Sequence, residues 1–309
     1  MWKKIDKCIQ EMFRFTNGKK VILWGYRDSG WFIEHLFKTS NKKIDYIVDD
    51  FITDPKTSVY RSMELKDLDS DTHVILLSFM RDKKVDDLLI SWGYVEKETY
   101  IYLKDIFFEN KNLTRKISYQ NWLEYEYGMD IVGYKGIEEV ERVSNDSLYY
   151  SPGIDYALMD VINNFCFDEN DAVFDFGCGK GGALLLFERG GIKKLGGVEY
   201  DSELYSIACK NFDQVGLEKK FLYHEDAASL TTELDEFNYF FIYNSFQGEL
   251  FRKMMHNLEE SYKRKKRKIT FIYSGPYCHH EVVKNNIFKF SKQIYTDYAV
   301  KRVNVYITN

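Results

Sequence analysis

Proline is scarce in this 309-residue chain, with three in all. No proline-rich spacer therefore separates one part from another. Cysteine is sparse too. Cys8, Cys166, Cys178, Cys209 and Cys278 are scattered, odd in number and without a C-x-x-C pair. That excludes a disulfide framework and a cysteine zinc site, and it predicts a reducing, cytoplasmic setting. His279-His280 has no partner at ligand spacing, so no metal site is expected. Long apolar runs are also missing: none approaches the ~18 residues that would span a bilayer. The opening MWKKIDKCIQEMFRF has lysines but no apolar leader core, so a soluble chain without a signal peptide is expected. A basic excess is absent as well. Forty-three Lys and Arg against 48 Asp and Glu leave a formal charge of −5, which argues against a nucleic-acid partner.

What is present is apolar and aromatic: 45% hydrophobic and 17% aromatic residues, enough for packed cores and incompatible with a disordered chain. The length is about twice the ~150 residues of a common domain, which predicts two domains. An opening helix over 2–15 precedes buried strands at 21–25, 43–50, 73–79 and 99–103, with helices near 29–39 and 82–92 between them. This alternation predicts a small doubly wound domain over 1–108. Residues 109–150 form an aromatic-rich connecting segment (Tyr119, Trp122, Tyr125, Tyr127), partly helical and too apolar for a free linker. A second alternation fills 151–309. Its strands are at 172–177, 194–200, 220–226, 237–244 and 269–273, with helices near 181–190, 201–214 and 247–263. The last two strands, 287–290 and 300–308, lack a crossover helix between them, so they predict an antiparallel hairpin.

The strongest motif is Asp175-Phe176-Gly177-Cys178-Gly179-Lys180-Gly181-Gly182, between a strand and a helix. Glycines there let the chain turn sharply and let a ligand approach the backbone, while the free N–H groups of the helix start face an anionic group. Glu199 ends the next strand, where a carboxylate can accept hydrogen bonds from two ribose hydroxyls. A nucleoside-containing cofactor is therefore expected. Gly177, Gly179 and Gly182 also satisfy the dinucleotide fingerprint G-x-G-x-x-G, which leaves NAD open. Taken singly, Asp226 would also suit a strand-end turn, and Asn244 a turn after an apolar strand. Nothing marks Cys178 as reactive.

Four ordered pieces over residues 149–309 resemble the class I S-adenosylmethionine-dependent methyltransferases: VFDFGCGKGG, GVEYD, HEDAASL and FIYNSF. The resemblance implies a seven-stranded methyltransferase sheet ending in the antiparallel hairpin, so that the chain comprises two doubly wound α/β domains. It also implies S-adenosyl-L-methionine as cofactor. Gly177 and Gly179 would then pack against its adenosine and methionine portions, and Asp175 would fix the loop or meet the methionine amino group. Glu199 would hold the ribose, Asp226 and the Ala227 backbone the adenine, and Tyr150 with Pro152 would cap the cofactor. Asn244 would lie near the methyl group. Ser245 stands where amino-methylating relatives carry proline, so an amine acceptor does not follow from the motif. His224, His256, His279, His280 and Glu249 are candidate bases among which the sequence does not choose, and no catalytic residue is assigned.

In the first domain, Gly25-Tyr26-Arg27-Asp28-Ser29-Gly30 also joins a strand to a helix, with Asp49 and Asp50 after the next strand. It lacks the middle glycine, and Asp28 would repel a pyrophosphate. This resembles the small Rossmann-like domains fused to sugar-tailoring methyltransferases, which implies a structural or substrate-presenting role, with nucleotide or nucleotide-sugar binding as the alternative. A small-molecule acceptor, a saccharide or nucleotide-linked sugar, follows from that pairing by analogy. The alternatives are an NAD-dependent oxidoreductase, a non-catalytic nucleotide-binding module and a macromolecular methyltransferase. The basic run 263–268 could serve the last; such a run at a helix end also complements the helix dipole.

Overall fold

The computed structural model describes residues 1–52, 59–109, 113–142, 144–153, 155–296 and 302–308. The chain divides into two compact units, Met1–Tyr125 and Glu126–Asn309.

In the first unit, apolar residues at helical spacing bury one face of α1 (Lys3–Phe15) through Ile5, Ile9, Met12 and Phe13. Continuous apolar runs form strands covered on both faces, the mark of a parallel sheet. These are β1 (Lys20–Trp24) and β4 (His73–Leu77), flanked by β2 (Tyr46–Val48), β3 (Val59–Tyr60) and β5 (Tyr100–Tyr102). The order is β3-β2-β1-β4-β5 and every pairing is parallel. The helices are α2 (Asp28–Thr39), α3 (Lys83–Ser91), α4 (Leu103–Phe107) and α5 (Tyr119–Tyr127). Two differences from the sequence reading have local causes. The expected strand 43–50 shrinks to Tyr46–Val48, because at its start the Asp45 carboxylate, not a backbone carbonyl, accepts the Val21 N–H (2.9 Å). β3 is an added edge strand of two residues, too short to show a period in the sequence.

The second unit contains α6 (Tyr156–Ile162), β6 (Ala172–Phe176), α7 (Gly182–Arg189), β7 (Lys194–Glu199), α8 (Ser202–Val215) and β8 (Leu222–His224). It continues with β9 (Tyr239–Tyr243), α9 (Gly248–Arg264), β10 (Thr270–Ser274), α10 (His279–Lys284), β11 (Phe288–Tyr295) and β12 (Arg302–Thr308). The sheet has seven strands in the order β11-β12-β10-β9-β6-β7-β8. Strands β6 to β10 run parallel, and β12 pairs antiparallel with both β10 and β11. This is the expected sheet with its terminal hairpin. The order reverses direction between β6 and β9, so the ends of those two strands open a crevice, the usual ligand position in doubly wound sheets. Phe174, Phe176, Phe240, Phe251 and Met254 fill the core beneath that crevice and are almost fully buried. Truncating one such phenylalanine to alanine costs about 3–5 kcal/mol, so this packing holds the strand ends rigidly in place. β11 is longer than the four residues expected: a bulge between Phe290 and Lys292 interrupts its alternation and hides the strand from a periodicity search.

Among the described residues no helix is long and apolar enough to cross a membrane, and no group of three His, Cys, Asp or Glu could hold a metal ion.

Candidate functional site

The glycine loop leaves β6 and is tied to the neighbouring strand before α7 begins. The Gly177 and Cys178 N–H groups both donate to the Val198 carbonyl (2.9 and 3.0 Å). Glu199 closes the loop: Oε2 accepts the Gly179 N–H (2.8 Å) and Oε1 accepts the Asp201 N–H (2.9 Å). A carboxylate has about four lone-pair positions, so each oxygen keeps capacity for a further donor. Gly179 is left-handed, at φ +54°, and a Cβ there would land on the Tyr150 ring, 2.8 Å from Cδ2 and closer still to Cε2. Gly177 is under similar pressure, since a Cβ would stand 2.5 Å from the Ser245 hydroxyl. Both glycines are thus demanded by close approach before any ligand is considered.

Asp175 is 3% exposed and borders the cavity formed by these elements. Burial, and then the like charge of Glu199, push its carboxyl well above the ordinary range. Glu199 is pushed up too, chiefly by burial, against the pull of its backbone donors. Asn244, at the end of β9, has φ +45°, a conformation few non-glycine residues adopt.

A strap over residues 128–142 and 144–151 borders these strand ends. Lys135 and Tyr150 exchange backbone hydrogen bonds (3.2 and 3.0 Å). The Lys135 ammonium pairs with buried Asp201 (2.7 Å) and with Glu203 (2.8 Å). Asp201 also caps α8 by accepting the Leu204 N–H (3.0 Å), and these donors hold its carboxyl below the usual range against its burial. Tyr150 donates its hydroxyl to the Ile131 carbonyl (3.0 Å). Further along, Asp146 accepts the Glu249 N–H (2.8 Å) and so caps α9 from outside that helix. In the sequence only its end was foreseen, Tyr150 as part of a cap; the aromatic residues that marked the connecting segment lie in α5.

Together these elements enclose a cavity of about 540 Å³, within the usual size of small-molecule sites. Of the predicted site residues, Tyr150, Asp175, Gly177, Glu199, Ala227 and Asn244 line it. Gly179 does not; it lies beneath the Tyr150 ring. Asp226 does not either. Its Oδ1 accepts the Ala228 N–H (2.8 Å) in a turn, and the neighbouring Glu225 lines the cavity instead. None of the five candidate bases lines it. His224 is bonded to the Tyr200 carbonyl (2.9 Å), and His279 to the Tyr306 hydroxyl (2.7 Å).

Most of the basic run is engaged internally. Lys263 pairs with Glu259 and Glu260, and Arg264 with Asp235, each at 2.9 Å. Lys266 lies over the Tyr262 ring, and Arg267 donates to the Phe237 and Leu234 carbonyls (2.6 and 2.8 Å).

In the first unit, the Gly25 loop is likewise filled by its own residues. Asp49 is buried and accepts from the Tyr26, Phe51 and Ile52 N–H groups (2.8, 2.8 and 3.2 Å). The Tyr26 hydroxyl donates to Glu34 (2.7 Å), and Asp28 pairs with Lys116. A Cβ on Gly30 would overlap the Gly25 carbonyl oxygen, so that glycine serves helix–loop packing.

No protein-family model matches the sequence, and no curated protein matches it. Solved structures that overlay on part of it include a ribosomal protein L11 methylase from Lactobacillus delbrueckii subsp. bulgaricus. That chain is 15% identical, with 50% of this chain and 77% of that one covered and a TM-score of 0.39. An S-adenosylmethionine-dependent methyltransferase from Aquifex aeolicus is 14% identical, covering 49% and 89% at a TM-score of 0.40. The magnesium protoporphyrin IX methyltransferase of Synechocystis PCC 6803 is 14% identical, covering 50% and 76% at 0.35.

Proposed function

We propose that the second unit binds S-adenosylmethionine and transfers its methyl group to a small-molecule acceptor. The observation that carries this reading is Asp175. Its carboxyl is buried at the cavity wall beside Glu199, and among the described residues no cation neutralises it. Such a group calls for a cationic ligand, because an unpaired buried charge is costly. The amino group of S-adenosylmethionine supplies that charge at Asp175. Glu199, with lone pairs to spare, accepts the ribose hydroxyls. Glu225 and Ala227 border the adenine end, and Tyr150 covers the loop.

Bound S-adenosylmethionine would supply a methyl group already activated by its sulfonium. The work left to the chain is to orient the acceptor near Asn244 and to exclude water. No histidine lines the cavity, so a hydroxyl acceptor would give up its proton to a lining carboxylate such as Glu141 or Glu225. NAD fits less well, because its pyrophosphate would bring negative charge to a wall already carrying Asp175, Glu199, Glu141 and Glu225. For the acceptor, a saccharide or nucleotide-linked sugar is the class suggested by the pairing with a small Rossmann-like unit, whose filled loop suits a structural role. The cysteine pattern suggests that the enzyme works in the cytoplasm.

Thermal unfolding tests the reading. At 100 times its Kd, a ligand that binds only the folded state stabilises by about 2.7 kcal/mol, roughly 5–10 °C for a unit of this size. S-adenosylhomocysteine should give that shift in the wild-type chain and not in Asp175→Asn. An equal shift in both would remove Asp175 from the site.

A further inference from the structure

The cavity spans more of the sheet than the cofactor-facing residues occupy. Its wall is contributed in spatial order by Glu225 after β8, Glu199 on β7, Asp175 on β6, Asn244 after β9, Ser274 on β10 and Arg302 on β12. With neighbouring strands about 4.8 Å apart, Arg302 stands four spacings, roughly 19 Å, from Glu199 and two, roughly 10 Å, from Asn244. β12 runs antiparallel, so its first residue meets the last residues of β10. The Gly275 N–H donates to the Arg302 carbonyl (3.0 Å), which fixes Arg302 at the same edge of the sheet as the glycine loop.

The wall is therefore graded in charge. Its acidic residues lie over β8, β7 and β6 or on the strap beside them, and Arg302 is the one Lys or Arg among the described lining residues. Arg252, Arg264 and Arg267 of the same unit are held by carboxylates or carbonyls. No hydrogen bond or ion pair among the described residues occupies the Arg302 guanidinium. Close to it in the chain's hydrogen-bonding, Tyr277 donates its N–H to the Gly275 carbonyl (2.8 Å) and is 78% exposed, although it lines the cavity. An exposed aromatic ring near a guanidinium with no partner among the described residues suits a ring bearing a negatively charged group, which guanidinium recognises with paired, directional donors.

We infer that Arg302 is the anion anchor of the acceptor subsite, and that the acceptor is a small ring-containing molecule with a carboxylate or phosphate about 10 Å from the atom that receives the methyl group. This rests on the cofactor reading above. A polyanion such as RNA would need many cations along its path, whereas this wall offers one. The dense basic run lies at the other end of β10, and its Lys263, Arg264 and Arg267 are internally paired.

The test uses the full chain saturated with S-adenosylhomocysteine, titrated by nuclear magnetic resonance with inorganic pyrophosphate in one arm and benzoate in the other. At least one should bind saturably, and its affinity should fall at least about tenfold in Arg302→Gln, the scale for losing a charged hydrogen-bonding partner. Arg302→Lys should recover part of it, and affinity for S-adenosylhomocysteine should be unchanged in both variants. The arm that binds identifies the phosphate or carboxylate source. Equal anion affinity in wild type and Arg302→Gln, with S-adenosylhomocysteine still bound, overturns the anchor. Failure of wild type to bind S-adenosylhomocysteine overturns the cofactor reading instead. Binding of total RNA that falls steeply with salt and depends on Arg302 overturns the small-molecule acceptor.

Discussion

Replacing Gly179 by alanine tests whether the loop and the strap form one device. The backbone contribution is set by φ +54°, where an L-residue costs about 1–2 kcal/mol more than glycine. The new Cβ would also overlap the Tyr150 ring, whose hydroxyl is tied to Ile131 and whose backbone is paired with Lys135. Displacing that ring forfeits a hydrogen bond worth about 1 kcal/mol, as well as its contact with the Lys180 ammonium, 5.7 Å from the ring centroid. Gly179→Ala should therefore cost about 2–3 kcal/mol in urea unfolding, of which about 1 kcal/mol is the clash. In a Tyr150→Ala background the ring is gone, so the same substitution should cost only its backbone share. Calorimetry with S-adenosylhomocysteine should show about a tenfold loss for Gly179→Ala, because the ring no longer covers the loop. Strictly additive costs, with unchanged ligand affinity, would refute the coupling of loop and strap.

Other expectations follow from the same geometry. Asp175 carries a raised pKa, so its folded form retains a proton that the unfolded chain has already released. The ligand-free protein should therefore lose stability as pH rises from the ordinary carboxylate range through that raised value, a loss absent in Asp175→Asn. Over the same window, affinity for S-adenosylmethionine should rise with pH in wild type and stay flat and weak in Asp175→Asn, as calorimetry across pH would show. Glu199→Gln must turn an amide N–H₂ toward one of two backbone donors. It should weaken S-adenosylhomocysteine binding by about 2–3 kcal/mol, the scale for a charged hydrogen bond lost beside the ligand, and an unchanged titration would free Glu199 from the ribose role. In the first unit, Asp49→Ala strips a buried acceptor from three N–H groups. It should destabilise that unit by about 2–3 kcal/mol, read as faster hydrogen exchange over β1 and β2.

Much of this architecture was legible because it is written in short-range patterns. Apolar runs and glycine punctuation announced β1, β4, β6, β7, β9 and β10, and the missing crossover between the last two strands announced the reversed hairpin. The loop at Gly177 and the carboxylate of Glu199 could be paired by spacing alone, since adjacent parallel strands bring their ends together. What escaped was set by contacts distant in sequence. The strap depends on Lys135 meeting Asp201 and on Asp146 capping α9, and neither pairing leaves a periodic trace. The exchange of Asp226 for Glu225 at the cavity wall turns on a single hydrogen bond to the Ala228 N–H. The anionic-to-cationic grading of the cleft needs the strand order, which brings Arg302 beside residues some thirty to sixty positions earlier.

The central claim is that the cavity over β6 and β7 takes a cationic nucleoside cofactor. Parallel calorimetric titrations of the full chain with S-adenosylmethionine, S-adenosylhomocysteine and NAD test it most directly. The structure predicts micromolar binding of both sulfur compounds, abolished together by Asp175→Asn, and no heat with NAD. Binding of NAD alone would contradict it.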